Sequence, residues 1–250
     1  MNPILIGVLI CTAYGISLFG LIKLFGVKYT EITKSTSNLK RGIFLPVGIA
    51  SIMLAILSYA TGLLPSVFTP PQGSPSDSWM WVIPAALIIG SVVRFKDSRW
   101  HLFTPAGVFY LVVGALFVGF SEELLTRGLL VHFMSQAAMP QVVVMLGSSI
   151  IFGLLHGMNY FNGQDRKTTL SQMIVATIMG MSLYVSYTVS GSLWAPILLH
   201  ALFDISLLTY GTQPDDQERS PSKIELAATL TFYTATFVVL INLLINWLLG

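Results

Sequence analysis

The chain has 250 residues, of which 54% are hydrophobic and only 10% charged, and its mean hydropathy is +0.76. A water-soluble domain carries about 25% charged residues, so this composition excludes one and makes the lipid bilayer the solvent. The single cysteine, Cys11, excludes a disulfide framework and a cysteine-based zinc cluster, and the net charge of +2 says little about partners.

Taken in order, long apolar runs predict eight spans, at roughly 3–22, 42–64, 79–95, 106–133, 140–163, 170–190, 193–210 and 225–249. The first has neither a basic n-region nor an A-x-A-like cleavage site, and reads as a retained helix rather than a signal peptide. A proline-rich connection at 65–78 follows the second span, with Trp79 and Trp81 at interface height beyond it. No internal repeat or soluble domain interrupts the chain, which reads as one polytopic unit over 1–250. The expected fold is all-α: a bundle of about eight transmembrane helices around an interior polar cavity.

Basic residues order the loops. Lys23, Lys28, Lys34, Lys40 and Arg41 fall at the first loop, and Arg94, Lys96 and Arg99 at the third. Arg166 and Lys167 fall at the fifth, Arg219 and Lys223 at the seventh, and the even-numbered loops have none. The positive-inside rule puts the odd loops in the cytoplasm and both termini outside.

The thirteenth basic residue, Arg127, lies in a stretch from Ala106 to Phe133 whose only other charged residues are Glu122 and Glu123. Ionised groups at membrane depth are costly unless they face each other or a wet cavity. Glu123 and Arg127 are four apart and share a helical face, so they are expected to pair. Glu122 is rotated about 100° from Glu123 and about 140° from Arg127, and is left over. The other ionisable residues singled out within the spans are His132, His156, His200 and Asp204. His156 follows Phe152 by four, and His200 precedes Asp204 by four, so each of these pairs shares a face. Three spans therefore supply groups that a bundle can bring to one interior point.

Glu122-Glu123-x-x-x-Arg127, Phe152-x-x-x-His156 and His200-x-x-x-Asp204, in that order, resemble the motifs of the CAAX protease and bacteriocin-processing family of intramembrane endopeptidases. The resemblance covers about residues 105–210, and the family often has Asn where this chain has Asp204. It implies Glu122 as the base that activates water and His156 as a group holding that water or a metal. It implies His200 and Asp204 as groups that stabilise the oxyanion or complete a metal site, with Glu123 and Arg127 bracing the motif helix. It also implies a peptide or lipid-modified protein as substrate. Two chemistries stay open. In the favoured one Glu122 is the free base and no cofactor is needed. In the other Glu122, His156 and His200 hold a zinc ion, with Asp204 as a fourth or supporting group. The chemistry asks for such groups in its own right, because peptide hydrolysis needs a base beside a water and a donor where charge develops.

Two competing readings are a transporter or proton relay built on the same Glu/His cluster, and a non-catalytic immunity or scaffold protein of this fold. The absence of repeats and of paired broken helices argues against transport. The expected location is a bacterial cytoplasmic membrane, the expected partners are substrate and bilayer, and no nucleic acid is expected. His132 is assigned no role and His101 is interfacial; Asn159 either lines the cavity or caps local backbone; Asp215, Asp216 and Glu218 form a solvated loop. One tension concerns depth. Glu122 lies about 24 Å up its span, whereas His156 lies only about 10 Å from the charges at Asp165–Lys167.

Overall fold

The structure is a computed structural model that describes residues 2–210 and 222–249. Eight principal helices organise it: α1 (Pro3–Phe25), α2 (Thr36–Ala60), α3 (Ser78–Phe95), α4 (Pro105–Gln136), α5 (Gln141–Phe161), α6 (Arg166–Ser190), α7 (Trp194–Tyr210) and α8 (Lys223–Leu249). Among the described residues there is no β-strand. Seven of the eight helices are long and apolar enough to cross a membrane, and α7, at 17 residues, is the shorter eighth. Its length is at the low end for a crossing. The all-α bundle expected from hydropathy is therefore the architecture found. Arg219 and the acidic residues Asp215, Asp216 and Glu218 lie outside the described residues.

Capping moves several helix ends from their expected places. Helix α2 begins at Thr36 rather than 42, because Ser35 accepts a hydrogen bond from the Asn38 amide (3.1 Å) and satisfies a donor the first turn cannot. It stops at Ala60, and Gly62, at φ +71°, turns the chain away before the short helix Leu64–Val67. Asp165 likewise caps α6 by accepting from the Thr168 amide (3.0 Å), which draws Arg166 and Lys167 into the first helical turn. Hydrogen bonds from the Thr168 side chain and then from its amide hold the Asp165 carboxyl below its ordinary range.

Many buried hydroxyls are satisfied within their own helices, as a membrane interior favours. Ser148 donates to the Val144 carbonyl (2.7 Å), Ser149 to Met145 (2.6 Å) and Ser186 to Ser182 (2.9 Å). The most buried span is α6; it packs against α5, α7 and α8, while α4 packs against α1, α2 and α7. Close packing of α4 on α7 depends on Gly119, where a Cβ would stand 2.6 Å from the Ile197 carbonyl oxygen. Small residues that let backbones approach this closely are the usual means of joining helices in lipid.

The loops sort into two ends. The Tyr29 amide donates to the Asn162 carbonyl (2.9 Å) and Lys23 to the Phe161 carbonyl (2.6 Å), tying the first loop to the fifth. The Thr36 and Thr104 hydroxyls meet at 2.8 Å, and the Arg99 amide reaches the Thr209 carbonyl at 2.9 Å, adding the third loop and the end of α7. At the opposite end the Leu193 amide donates to the Phe68 carbonyl (3.0 Å), joining the second and sixth loops. The first, third and fifth loops thus gather at one end of the bundle, and the second and sixth at the other.

Candidate active site

The site begins with an irregularity in α4. After Glu123 the helix widens into a π-helical segment, Leu124–Leu130, closed by a hydrogen bond from the Val131 amide to the Thr126 carbonyl. The Thr126 hydroxyl donates to the Glu122 carbonyl (2.6 Å), occupying an acceptor beside this break in register. Wide turns of this kind interrupt α-helices most often at functional sites. Here the segment carries Arg127.

Arg127 is fully buried and donates from Nη1 to Glu123 Oε1 at 3.1 Å and to the Thr126 hydroxyl at 2.5 Å. Its guanidinium lies over the Phe152 ring, 4.4 Å from the centroid. Gly180 of α6 makes room for it, since a Cβ there would be 2.8 Å from Nη2. The expected Glu123–Arg127 pair is present, and it extends further than the i,i+4 spacing implied. The same Oε1 of Glu123 accepts from His200 Nδ1 at 2.9 Å, across 77 residues of sequence. Glu123 therefore joins Arg127 to the imidazole as well as bracing its own helix.

His200 is buried, and with Nδ1 committed to Glu123 its Nε2 faces two further carboxylates, 3.6 Å from Asp204 Oδ2 and 3.9 Å from Glu122 Oε2. The four-residue spacing does bring Asp204 beside His200, but the 3.6 Å separation is beyond a hydrogen bond. It is Glu123 that fixes the ring. The Glu122 Oε2 atom is buried and has no hydrogen-bond partner, in keeping with its leftover position in the sequence. Glu122, Asp204 and His156 are half-buried, whereas Glu123, Arg127 and Phe152 are fully enclosed.

His156 ends the regular part of α5, with Nδ1 3.0 Å from the Phe152 carbonyl oxygen. A carbonyl can only accept, so Nδ1 carries the proton and Nε2 is an acceptor in the neutral ring. His156 reaches the cluster through Phe152, whose ring lies edge-on to His156 (5.0 Å between centroids) and to His200 (5.6 Å). Phe152 thereby touches Arg127, His156 and His200 at once. The depth tension is eased by the length of α4, whose 32 residues exceed the roughly 20 needed to cross a bilayer.

Among the described residues, no three His, Cys, Asp or Glu side chains are arranged to hold a metal ion. Of the trio considered for zinc, Glu122 Oε2 and His200 Nε2 stand 3.9 Å apart, and the other nitrogen of His200 is held by Glu123. His132 pairs with Gln136 (2.9 Å) on its own helix. Asn159 donates to Gln172 Oε1 (3.0 Å), so its side chain serves a contact between helices rather than local capping. Sequence spacing missed three further contacts: the Glu123–His200 bond, the Tyr14 hydroxyl that donates to Ser121 Oγ (2.8 Å), and a bond from Gln172 to the Tyr29 hydroxyl (2.9 Å). All join residues distant in the chain, and no local periodicity could have signalled them.

Residues 104–206 match the family described as type II CAAX prenyl endopeptidase Rce1-like. The resemblance read from the three motifs is thus supported over nearly the same stretch, and it indicates a protease. With seven helices suited to crossing a bilayer, the chain is an integral, multi-pass membrane protein. No curated protein and no solved structure matches it.

Proposed function

We propose that this protein is an intramembrane endopeptidase acting on a peptide or lipid-modified protein, with Glu122 as the base. The observation that carries the reading is the unpartnered carboxylate oxygen of Glu122, set beside an imidazole that is held from behind by Glu123. A carboxylate without a hydrogen-bond donor is free to take a proton from water, and low dielectric makes it a stronger base than in solution. The accepting nitrogen of His156 gives that water a second partner. Hydroxide adds to the scissile carbonyl carbon, and the oxygen that gains charge is met by His200 Nε2, protonated among its three carboxylates. The C–N bond then breaks, with the proton held by Glu122 passing to the leaving amine. Positioning and electrostatics supply these steps from the protein's own side chains, so the reading calls for no cofactor.

A lipid-modified substrate fits the surroundings of the site. A lipid-facing groove of about 390 Å³ runs between α2, α4 and α7, lined by Ile52, Ala55, Leu116, Phe120 and Ile197 among others. Phe120 and Ile197 lie within a helical turn of Glu122 and His200 respectively. The family that residues 104–206 match is described as a prenyl endopeptidase, and on that ground a prenylated CAAX-type peptide is the first substrate to try. Purified protein in detergent should cleave a quenched fluorescent peptide of this kind; failure on this peptide and on a diverse peptide library would remove the protease reading. The basic loops are taken as cytoplasmic, with both termini outside. Impermeant thiol reagents added from outside should label a cysteine placed at Gln72 or Ser192 and spare one placed at Thr36 or Thr168; the opposite pattern would invert the orientation.

A further inference from the structure

The proposed reaction leaves one need unmet. An oxyanion is best held by two or more fixed donors, yet of the donors near Glu122 the Arg127 guanidinium is fully enclosed against Glu123 and the Tyr14 hydroxyl is spent on Ser121, which leaves His200. Ionised Asp204 and Glu123 are acceptors alone. A further donor comes from outside the motif region.

Tyr29 opens a short 3-10 helix, Tyr29–Lys34, in the first loop. That loop is fastened to the end of α5: the Tyr29 amide donates to the Asn162 carbonyl (2.9 Å), and the Asn162 side chain donates to the Val27 carbonyl (3.2 Å). The phenol is half-buried and lies within electrostatic reach of both Asp204 and Glu122. Its orientation is set by a relay of amides. The Asn159 side chain donates to Gln172 Oε1 (3.0 Å), which leaves the Gln172 NH2 to donate to the Tyr29 oxygen (2.9 Å). The phenolic oxygen is thus an acceptor toward Gln172, and its own proton is left to point elsewhere. Asn159 in turn sits one turn beyond His156, its amide bonded to the His156 carbonyl (3.0 Å).

We propose that Tyr29 is the second oxyanion donor of this site, presented from the first loop and aimed by Gln172 and Asn159. Burial raises the phenol above its ordinary range, against the pull of the Gln172 hydrogen bond, and the negative charge of Asp204 and Glu122 adds to the rise. The group therefore keeps its proton and acts as a donor, never as a base. The inference rests on the protease reading above, and it assigns a role to a residue well outside 104–206.

Steady-state cleavage of the prenylated CAAX-type peptide tests it in wild type, Tyr29→Phe, Gln172→Ala and the double variant. Tyr29→Phe removes only the hydroxyl, and kcat should fall by roughly 10²-fold with KM nearly unchanged. Gln172→Ala should produce a smaller fall, and the double variant should be little worse than Tyr29→Phe alone, because the amide acts through the phenol. Should Tyr29→Phe fail to fold, Gln172→Ala decides by the same kcat-against-KM split. Cleavage by wild type with kcat of Tyr29→Phe within about twofold of it, a change in KM alone, or additive losses in the double variant would each overturn the role of Tyr29 and leave the protease reading standing. Absence of cleavage by wild type would overturn that reading and this one with it.

Discussion

Arg127 with Glu123 and Arg94 with Glu225 form two largely buried arginine–carboxylate pairs, and they are built alike. Arg127 and Glu123 approach to 3.1 Å, Arg94 and Glu225 to 3.2 Å. Each guanidinium stacks on a phenylalanine, Arg127 on Phe152 (4.4 Å) and Arg94 on Phe203 (4.9 Å). Each glutamate keeps one buried oxygen without a partner. The difference is in what the pair is joined to. Arg94 ends on the Ser206 hydroxyl (2.7 Å), and its pair, about a tenth exposed, ties the last turn of α3 to the first turn of α8. Glu123 instead continues to His200, and His200 to the carboxylates of Glu122 and Asp204. A buried ion pair in a membrane helix thus does not mark a site by itself. The pair that orients an imidazole beside an unpaired carboxylate is the one the proposed mechanism uses.

Breaking the two pairs should separate their roles, and the largest effect on stability belongs to Arg127. Arg127→Ala leaves Glu123 charged and enclosed, a loss of about 3–5 kcal/mol, so the thermal midpoint in detergent and the cleavage rate should fall together. A midpoint equal to wild type would mean that Glu123 is protonated and the pair is no pair. Next in size is Glu123→Gln, which keeps the shape but gives His200 an uncharged partner. Cleavage should drop by roughly 10²–10⁴-fold, and stability should fall as well because Arg127 is left enclosed without a charged partner; unchanged kcat would show that the imidazole needs no orienting carboxylate. Arg94→Ala should have the smallest effect, costing about 1–3 kcal/mol while the protein that remains folded turns over peptide. Lost turnover in well-folded Arg94→Ala would erase the distinction between the pairs.

The same contrast explains what could be read from the sequence. Hydropathy located each of the eight principal helices, because the need to cover some 30 Å of hydrocarbon is written into run length. Four-residue spacings placed Arg127 beside Glu123 and Asp204 beside His200, since a helix sets those distances regardless of its neighbours. Glu122 was legible as the carboxylate those spacings left over. Contacts that depend on how helices dock were not legible. Nothing near Glu123 announces that His200 will take its Oε1, because that meeting depends on Gly119 letting α4 and α7 close to backbone contact. The π-helical widening at Leu124–Leu130 has no periodic signature either. Asn159 could not be assigned until α6 brought Gln172 to it, and Tyr29 lies in a loop far from every motif.

The central claim is that Glu122 is the base. Its direct test compares Glu122→Gln with wild type in two measurements on the same preparations, cleavage of the prenylated peptide and the thermal midpoint. The substitution keeps the shape of a side chain that has no partner on Oε2, so the midpoint should hardly move. The rate should fall by at least the roughly 10²–10⁴-fold that general-base catalysis supplies. Cleavage by Glu122→Gln at the wild-type rate would contradict the account, because the carboxylate on which the mechanism turns would then be doing no chemistry.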